Sequence, residues 1–349
     1  MKEIEIAGRR IGPGHPVFIV AEAGVNHNGS LEMAKRLIDE AVKAGVDAIK
    51  FQTFKAEKLV SSHAPKAAYQ LKTTDPDESQ LEMLKRLELS FDAFREVRSY
   101  CQKKGILFFS TPFDEESVDF LDELGVPLFK IGSGEITNFP FLEYAARKGK
   151  PIILSTGMSH LEEVEQAVRI IRSSGCDQLV LLHCVSNYPA DPAEVNLRAI
   201  KTMIKSFQLP VGYSDHTAGV NIAIAAIALG ACMIEKHITI DRTLPGPDHR
   251  ASLEPIEFKT MITNIRTVEL AMGNGRKAPT ASELENRKII SRSVAAAFDI
   301  PQGTVLISNM LQALRPATGI SPILITTIVG RRVKRSLKSG QLVHWEDLE

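Results

Sequence analysis

The sequence lacks the features that mark secreted, membrane-spanning or nucleic-acid-binding proteins. Its four cysteines are scattered and form no Cys-x-x-Cys pair, which argues against a disulfide framework or a zinc site. No apolar stretch approaches the roughly 20 residues of a membrane span, and the opening MKEIEIAGRR has no signal-peptide core. Basic and acidic side chains both number 42, so the chain has no excess of positive charge that would favour binding to nucleic acid or an anionic membrane. We therefore expect a cytoplasmic protein with reduced thiols.

Short apolar runs alternate with longer amphipathic segments between residues 17 and 271. The candidate strands are 17–24, 48–53, 106–111, 128–133, 151–156, 179–184, 210–215 and 233–239. In the intervening segments, apolar residues recur at the spacing of one helix face, which predicts helices such as 30–45 and 160–175. Ser30 and Ser159 are placed to cap the amino ends of these two helices.

Strict alternation of strands and helices predicts a (β/α)8 TIM barrel. The alternative is a doubly wound open sheet, which favours a Gly-x-Gly-x-x-Gly turn after the first strand. Here that turn reads EAGVNHNGS and lacks the spacing. The connection 54–78 is long for such a fold, which indicates a lid or a binding loop.

The chain is expected to have two domains. Residues 1–271 form the predicted catalytic barrel, 272–288 a polar linker, and 289–349 a small domain rich in turns and short strands. A domain of about 60 residues has a small core and is marginally stable alone. We therefore expect the second domain to dock on another surface.

Polar side chains stand at the carboxyl end of every predicted strand, where barrel enzymes place their active sites. Lys50 and Lys130 are expected to point into one cavity, surrounded by the hydroxyls of Thr111, Ser133, Ser155 and Ser214. Cations with hydroxyl donors suit a phosphate or a carboxylate. A lysine that forms a Schiff base, as in a pyruvate aldolase, is the alternative from another class.

Two histidines, His216 and His237, end the seventh and eighth predicted strands. Neighbouring strands lie about 4.8 Å apart, so the two imidazoles can share one divalent metal. With water and substrate completing the shell, the pair favours an exchangeable Mn²⁺ or Mg²⁺ that polarises a carbonyl.

The segment PGPDHRAS (245–252) follows the eighth strand and collects more functional groups than a turn needs. Its prolines and glycine restrict the backbone, and we expect this to turn Asp248 toward the barrel mouth. Packing, an interface contact and substrate binding all remain open for His249 and Arg250.

Long, ordered motifs identify the chain as similar to the sialic acid synthases. They include AEAGVNHNGS, KFQTFKAEKL, FFSTPFDEESVDFL, FKIGSGEITNFP, ILSTGM, HCVSNYPA, VGYSDHTAG and IEKHITIDRTLPGPDHRASLEP. The tail, with LRPATGISP and VGRRVKRSLKSGQLV, resembles the antifreeze-like (SAF) domain of that family. The resemblance covers essentially the whole chain.

This resemblance implies a role for each matching residue. The implied phosphoenolpyruvate pocket is Lys50, Thr111, Lys130, Ser133, Ser155, Asn187 and Ser214, and the implied metal ligands are His216 and His237. The implied sugar contacts are Glu22, Gln52, Glu135, Tyr188, Asp248 and Arg315. The implied catalytic groups are Glu22, Lys50, Glu135 and His237.

The family condenses phosphoenolpyruvate with an N-acylated amino sugar through C–O cleavage and releases phosphate. By resemblance the protein is a homodimer with swapped C-terminal domains, and Arg315 reaches the partner's barrel. Our first expectation is an N-acetylneuraminate synthase that uses N-acetylmannosamine. The alternatives are synthases of legionaminate or pseudaminate, which use a diacetamido sugar. Ala317 and Thr318 replace a Gly-Asn pair of the family, so the identity of the sugar stays open.

Overall fold

The computed structural model describes residues 3–75 and 77–349. The chain divides into two compact units, one ending at Gly273 and the other covering Asn274–Glu349. The division falls inside the predicted linker 272–288, whose status as a linker stays a prediction. Within the described ranges, no helix is both long and apolar enough to span a bilayer.

The chain begins with an antiparallel hairpin that the sequence analysis did not predict. Its strands are β1 (Ile4–Ile6) and β2 (Arg9–Ile11). Ile4, Ile6 and Ile11 are buried against Phe18 and Met233, the first residues of two later strands. The hairpin therefore closes the amino-terminal end of the barrel, opposite to the end where a catalytic site is expected.

Eight parallel strands close into a barrel in the first unit, which confirms the predicted (β/α)8 fold and excludes the open doubly wound sheet. The strands pair in chain order, and the last closes on the first. They are β3 (Phe18–Gly24), β4 (Ala48–Thr53), β5 (Leu107–Pro112), β6 (Phe129–Ile131), β7 (Ile152–Ser155), β8 (Leu179–Cys184), β9 (Val211–Asp215) and β10 (Met233–His237).

An outer layer of helices covers the barrel. It comprises α1 (Leu31–Ala44), α2 (Ala56–Leu59), α3 (Gln80–Leu87), α4 (Phe91–Lys104), α5 (Glu115–Glu123), α6 (Phe139–Ala146), α7 (Leu161–Ser173), α8 (Ala199–Phe207), α9 (Asn221–Ala228) and α10 (Pro255–Met272). Single 3-10 turns lie at Gln70–Lys72, Ser133–Glu135, Pro192–Glu194 and His249–Ala251.

The predicted cap of α1 is confirmed and that of α7 is wrong. Ser30 Oγ accepts a hydrogen bond from the Met33 amide at 3.3 Å. For α7 the capping position is His160, whose amide donates to Glu163 Oε2 at 2.7 Å. The Ser159 hydroxyl instead donates to the Gly157 carbonyl, because the helix begins one residue later than the periodicity indicated.

Strand register brings the predicted polar residues to one level of the barrel. Lys50 pairs with Glu22 across β4 and β3, and Glu22 pairs with His237 across β3 and β10. Glu235 pairs with Ser214 across β10 and β9. Since alternate residues of a strand face the same side, Glu235 and His237 both point inward.

Gly212 in β9 is tightly packed against the neighbouring strands, and Gly212→Ala is expected to destabilise the barrel. An added methyl group would lie 2.6 Å from both Leu182 Cδ2 and the Met233 carbonyl oxygen. Such overpacking costs about 1–3 kcal/mol, and urea unfolding would measure it. The control is Gly134→Ala, where nothing lies within 4 Å of the new group. Equal unfolding midpoints for the two variants would contradict the expectation.

The second unit has its own core. It contains α11 (Ala281–Ile290), α12 (Ile325–Ile328) and the antiparallel pair β11 (Ser293–Ala296) and β12 (Leu311–Leu314). Further 3-10 turns lie at Ser308–Met310, Pro322–Leu324 and Trp345–Asp347. The buried core residues are Val294, Ala296, Ile300, Leu306, Leu311, Ile320, Ile328, Val333, Leu337, Val343 and Leu348.

Candidate active site

A cavity of about 330 Å³ lies at the carboxyl ends of the barrel strands. Its polar lining consists of Glu22, Lys50, Gln52, Thr111, Lys130, Ser133, Ser155, Ser186, Ser214, His216, Glu235 and His237, with Tyr69 and Tyr188 as aromatic walls. A larger groove of about 710 Å³ is lined by surface side chains of α7 and α8. It lacks the buried charges of the barrel cavity, which is therefore the candidate active site.

The structure brings together six of the seven residues predicted to bind phosphoenolpyruvate. Lining the cavity are Lys50, Thr111, Lys130, Ser133, Ser155 and Ser214. The seventh, Asn187, is exposed and is not part of the lining, whereas Ser186 is. Ser186 Oγ lies so close to the Gly157 backbone that a Cβ there would meet it at 2.4 Å. The turn after β8 is irregular, so strand alternation could not indicate which residue faces inward.

Two lysines and two glutamates form a buried charge cluster in the cavity. Lys50 Nζ lies 2.9 Å from Glu22 Oε1 and 3.7 Å from Glu235 Oε2. Lys130 Nζ lies 3.7 Å from Glu235 Oε1. The four side chains are at most 5% exposed. Buried charges need partners, and in this cluster the lysines and the glutamates are partners of one another. Both lysines also line the open cavity.

The two lysines differ in how the surroundings affect their charge. Burial opposes the charged form of Lys50, but the Glu22 and Glu235 carboxylates outweigh it and raise the pKa of Lys50. Burial lowers the pKa of Lys130, against the pull of the Glu235 carboxylate. A lowered lysine pKa is also what a Schiff-base mechanism needs, and borohydride trapping tests that alternative.

Glu22 is expected to couple the binding of phosphoenolpyruvate to pH. Burial raises the pKa of Glu22 to about 7, against the favourable charge of Lys50. Below that pH the neutral carboxyl leaves the charge of Lys50 available to an anion, and above it the carboxylate pairs with Lys50 and repels the anion. The Kd for phosphoenolpyruvate should therefore rise as the pH rises through about 7, as titration calorimetry can measure. Glu22→Gln should flatten this rise, and an equally steep rise in the variant would contradict the role of Glu22.

His216 and His237 meet at one side of the cavity. Their ring centroids lie 5.5 Å apart. His216 Nδ1 is 2.7 Å from the Val185 carbonyl oxygen, so Nδ1 carries the proton and Nε2 is left as an acceptor. Burial lowers the pKa of His216 to about 4 and that of His237 well below its ordinary value. Both rings are therefore neutral near pH 7, as metal ligands must be.

The histidine pair fits a divalent cation in an open site. His237 Nδ1 and Glu235 Oε2 are buried without a hydrogen-bond partner, and unsatisfied buried polar atoms of this kind call for an explanation such as an ion. Among the residues that the structure describes, no three His, Cys, Asp or Glu side chains form a closed metal cluster. Water and substrate would have to complete the shell. The predicted Mn²⁺ or Mg²⁺ at His216 and His237 therefore remains a proposal.

The segment after β10 is locked by hydrogen bonds to the segment after β3. Asn26 Nδ2 donates to Ser252 Oγ at 2.8 Å, and the Ser252 hydroxyl donates to the Asp248 carbonyl at 2.7 Å. Asp248 is buried, with Oδ2 3.7 Å from His237 Nδ1. His249, whose role the sequence left open, is buried with Nδ1 2.7 Å from Thr239 Oγ1. It therefore supports the turn that holds Asp248.

The remaining predicted sugar contacts fall into two groups. Gln52 and Tyr188 line the cavity, and Gln52 Nε2 donates to Glu22 Oε1 at 3.1 Å. Glu135 does not line it, because the 3-10 turn after β6 directs its carboxylate to Asn138 Nδ2 at 2.7 Å. Arg315 is exposed in the second unit, and its predicted reach into a partner's barrel stays a prediction.

Besides Ser186, the cavity residues Tyr69 and Glu235 were not among the predicted site residues. Tyr69 lies in the long connection after β4, which was expected to be a binding loop without any one residue being indicated. Glu235 supplies an inward carboxylate two residues before His237. The alternation of side chains along β10 could have indicated Glu235, because residues two apart share a face.

The arrangement can hold an anion and a carbonyl compound side by side. Two ammonium groups and several hydroxyls provide donors for phosphate or carboxylate oxygens. Two neutral imidazoles offer an open cation site next to these donors. Two buried carboxyl groups can stabilise developing positive charge or move protons.

Family models cover most of the chain. The NeuB family matches residues 37–277, and the SAF domain matches residues 291–349. The SAF match agrees with the expected antifreeze-like domain at the carboxyl end.

Relatives and solved structures show the same similarity. The chain is 49% identical to the N,N'-diacetyllegionaminic acid synthase of Campylobacter jejuni, over 93% of this chain and 98% of that protein. It is 47% identical to the Legionella pneumophila protein of the same name, over 97% and 96%. The crystal structure of an N-acetylneuraminic acid synthetase from Leptospira borgpetersenii is 40% identical, covers 82% of this chain and 95% of its own, and has a TM-score of 0.74.

Proposed function

Because the chain belongs to the NeuB family of phosphoenolpyruvate-using nonulosonic acid synthases, we propose that it is an N,N'-diacetyllegionaminate synthase. It condenses phosphoenolpyruvate with a 2,4-diacetamido sugar and releases phosphate. The observation that carries this choice is the 49% and 47% identity to two N,N'-diacetyllegionaminic acid synthases. N-acetylneuraminate, the first expectation from the sequence, becomes the second candidate. The 40% identity to the Leptospira synthetase supports it.

Lys50 and Lys130 bind the phosphate and the carboxylate of phosphoenolpyruvate, and Thr111, Ser155 and Ser214 orient it by hydrogen bonds. Fixing both anionic groups removes the freedom of the enol and exposes its C3 to the second substrate. The cavity admits the open-chain sugar beside Tyr188 and Asp248. A divalent cation held by His216 and His237 would polarise the sugar aldehyde.

The carbon–carbon bond forms between C3 of phosphoenolpyruvate and the aldehyde carbon, and the aldehyde oxygen gains a proton. Positive charge then develops at C2, close to the Glu22 and Glu235 carboxyl groups, which stabilise it. Water adds to C2 and loses a proton. The bond between C2 and the bridging oxygen then breaks as the new C2 hydroxyl passes its proton to the departing phosphate, so that this oxygen leaves with the phosphate and a 2-keto acid remains.

Initial rates of phosphate release test the choice of sugar. With phosphoenolpyruvate and Mn²⁺ present, kcat/KM for the 2,4-diacetamido sugar should exceed that for N-acetylmannosamine by about tenfold or more, since a site built around two amide groups leaves polar groups unpaired when one is missing. The opposite order would transfer the assignment to N-acetylneuraminate. Phosphate release with neither sugar would overturn the proposal.

A further inference from the structure

The long connection after β4 sends one aromatic side chain to the cavity wall. Tyr69 lines the cavity, and its ring centroid lies 5.1 Å from that of Tyr188. Tyr188 in turn lies 4.1 Å from the ring of His216 and meets His237 edge-on at 5.6 Å. The two tyrosines and two histidines therefore form a continuous aromatic wall, which begins in a loop and ends at the candidate metal ligands.

The loop that carries Tyr69 is held by a buried lysine. The Lys66 side chain is only 2% exposed. Its Nζ donates to Thr74 Oγ1 at 3.2 Å, to the Asp75 carbonyl at 2.6 Å and to Glu78 Oε1 at 3.1 Å. A buried ammonium group with three acceptors fixes the segment on both sides of Tyr69. The position of Tyr69 is therefore fixed by the hydrogen bonds that Lys66 makes within the loop.

A second contact joins this loop to the segment after β10. The Gly246 amide donates to the Thr73 carbonyl at 3.2 Å. Tyr69 and Asp248 are consequently held in two loops that are hydrogen-bonded to each other. Tyr69 lines the cavity, and the Asp248 carboxylate lies beside it through His237, with Oδ2 3.7 Å from His237 Nδ1.

We propose that Tyr69, positioned by Lys66, is a specificity-determining residue that packs against an acylamino group of the sugar. This inference rests on the proposed function, because it assumes an N-acylated amino sugar as second substrate. The charged and hydroxylated side chains of the lining suit phosphate, carboxylate and sugar hydroxyls, and further apolar surface lies at Phe113 and Met158. An acyl methyl group needs an apolar surface, and the paired rings of Tyr69 and Tyr188 provide one.

Replacing the ring tests the contact. Tyr69→Leu should raise the KM for the 2,4-diacetamido sugar about 3- to 10-fold, in line with the loss of one aromatic contact. The KM for phosphoenolpyruvate should stay within about twofold, because Lys50 and Lys130 are untouched. Tyr69→Phe keeps the ring and should stay within about twofold for both substrates. The matched control is Tyr144→Phe. It removes a hydroxyl that donates to Asp119 on the outer helices.

Replacing the lysine tests the positioning. Lys66→Met should raise the sugar KM in the same direction as Tyr69→Leu, and the double variant should show little further loss, since the lysine acts through the tyrosine. Lys58 lies in the same connection, and Lys58→Met serves as the control because it removes an exposed ion pair with Glu116 of α5. Additive losses in the double variant would contradict a positioning role for Lys66.

The results separate this inference from the proposed function. If the wild-type protein releases no phosphate with any N-acylamino sugar, the proposed function fails and the inference falls with it. If the wild-type protein turns over and Tyr69→Leu leaves the sugar KM unchanged, only the inference fails. Equal rises in both KM values would likewise overturn it, because they would indicate a general disturbance of the cavity. Thermal unfolding of each variant identifies any that are misfolded.

Discussion

Lys130→Met is expected to weaken phosphoenolpyruvate binding by about 100- to 1,000-fold, because removing one partner of a desolvated charge interaction costs several kcal/mol. Lys130 is 3% exposed, lines the cavity, and has its nearest carboxylate, that of Glu235, at 3.7 Å. Methionine has nearly the same length and removes the charge alone. Titration calorimetry with phosphoenolpyruvate measures the loss without depending on turnover.

Lys104→Met is the matched control for this experiment. Lys104 is paired with Asp39 at 2.6 Å on the outer helices and should leave phosphoenolpyruvate binding within about twofold of the wild type. Wild-type affinity in Lys130→Met would contradict the anion-binding role. Borohydride reduction in the presence of pyruvate should trap no adduct on Lys50 or Lys130, whereas a trapped adduct would favour the Schiff-base aldolase.

His216→Asn is expected to lower the affinity for Mn²⁺ by about 100-fold or more and to abolish turnover at low metal concentration. Two protein ligands alone hold the cation in this proposal, so losing one removes a large share of its coordination. Calorimetric titration with Mn²⁺ reports the affinity directly. In the wild-type protein, chelation should abolish phosphate release and Mn²⁺ should restore it.

The control for the histidine variant is His160→Asn. His160 caps α7, outside the barrel cavity, and should leave the Mn²⁺ affinity within about twofold. Full turnover by the wild-type protein after exhaustive chelation would contradict the role given to His216 and His237. Unchanged Mn²⁺ affinity in His216→Asn would contradict the assignment of that ligand.

The strands and helices of the barrel could be predicted because apolar residues recur in them at regular intervals. The eight apolar runs match the eight barrel strands to within one or two residues at most boundaries, as in 179–184 for β8. Successive side chains of a strand point to opposite faces, so Lys50, Ser214 and His237 could be placed in one cavity from the sequence. The same rule would have added Glu235.

Residues outside the strands could not be placed in this way. The orientation of Asn187, Glu135 and Tyr69 depends on irregular turns, where neither a period of two nor one of 3.6 applies. Asn187 and Glu135 do not line the cavity, whereas Tyr69 does. Local hydrogen bonds of Asn138 and Lys66 set the turns that hold Glu135 and Tyr69. The amino-terminal hairpin was missed because three-residue strands carry too short a pattern to be recognised.

The central claim is that the barrel cavity joins phosphoenolpyruvate to an N-acylated amino sugar by C–O cleavage. The most direct measurement uses phosphoenolpyruvate with an isotopic label in the bridging oxygen, together with Mn²⁺ and the 2,4-diacetamido sugar. Mass spectrometry of the products then locates the label. The proposal predicts that the label appears in phosphate, in equal amount to a new nine-carbon 2-keto acid. A label retained in the organic product, or no phosphate release with any N-acylamino sugar, would contradict it.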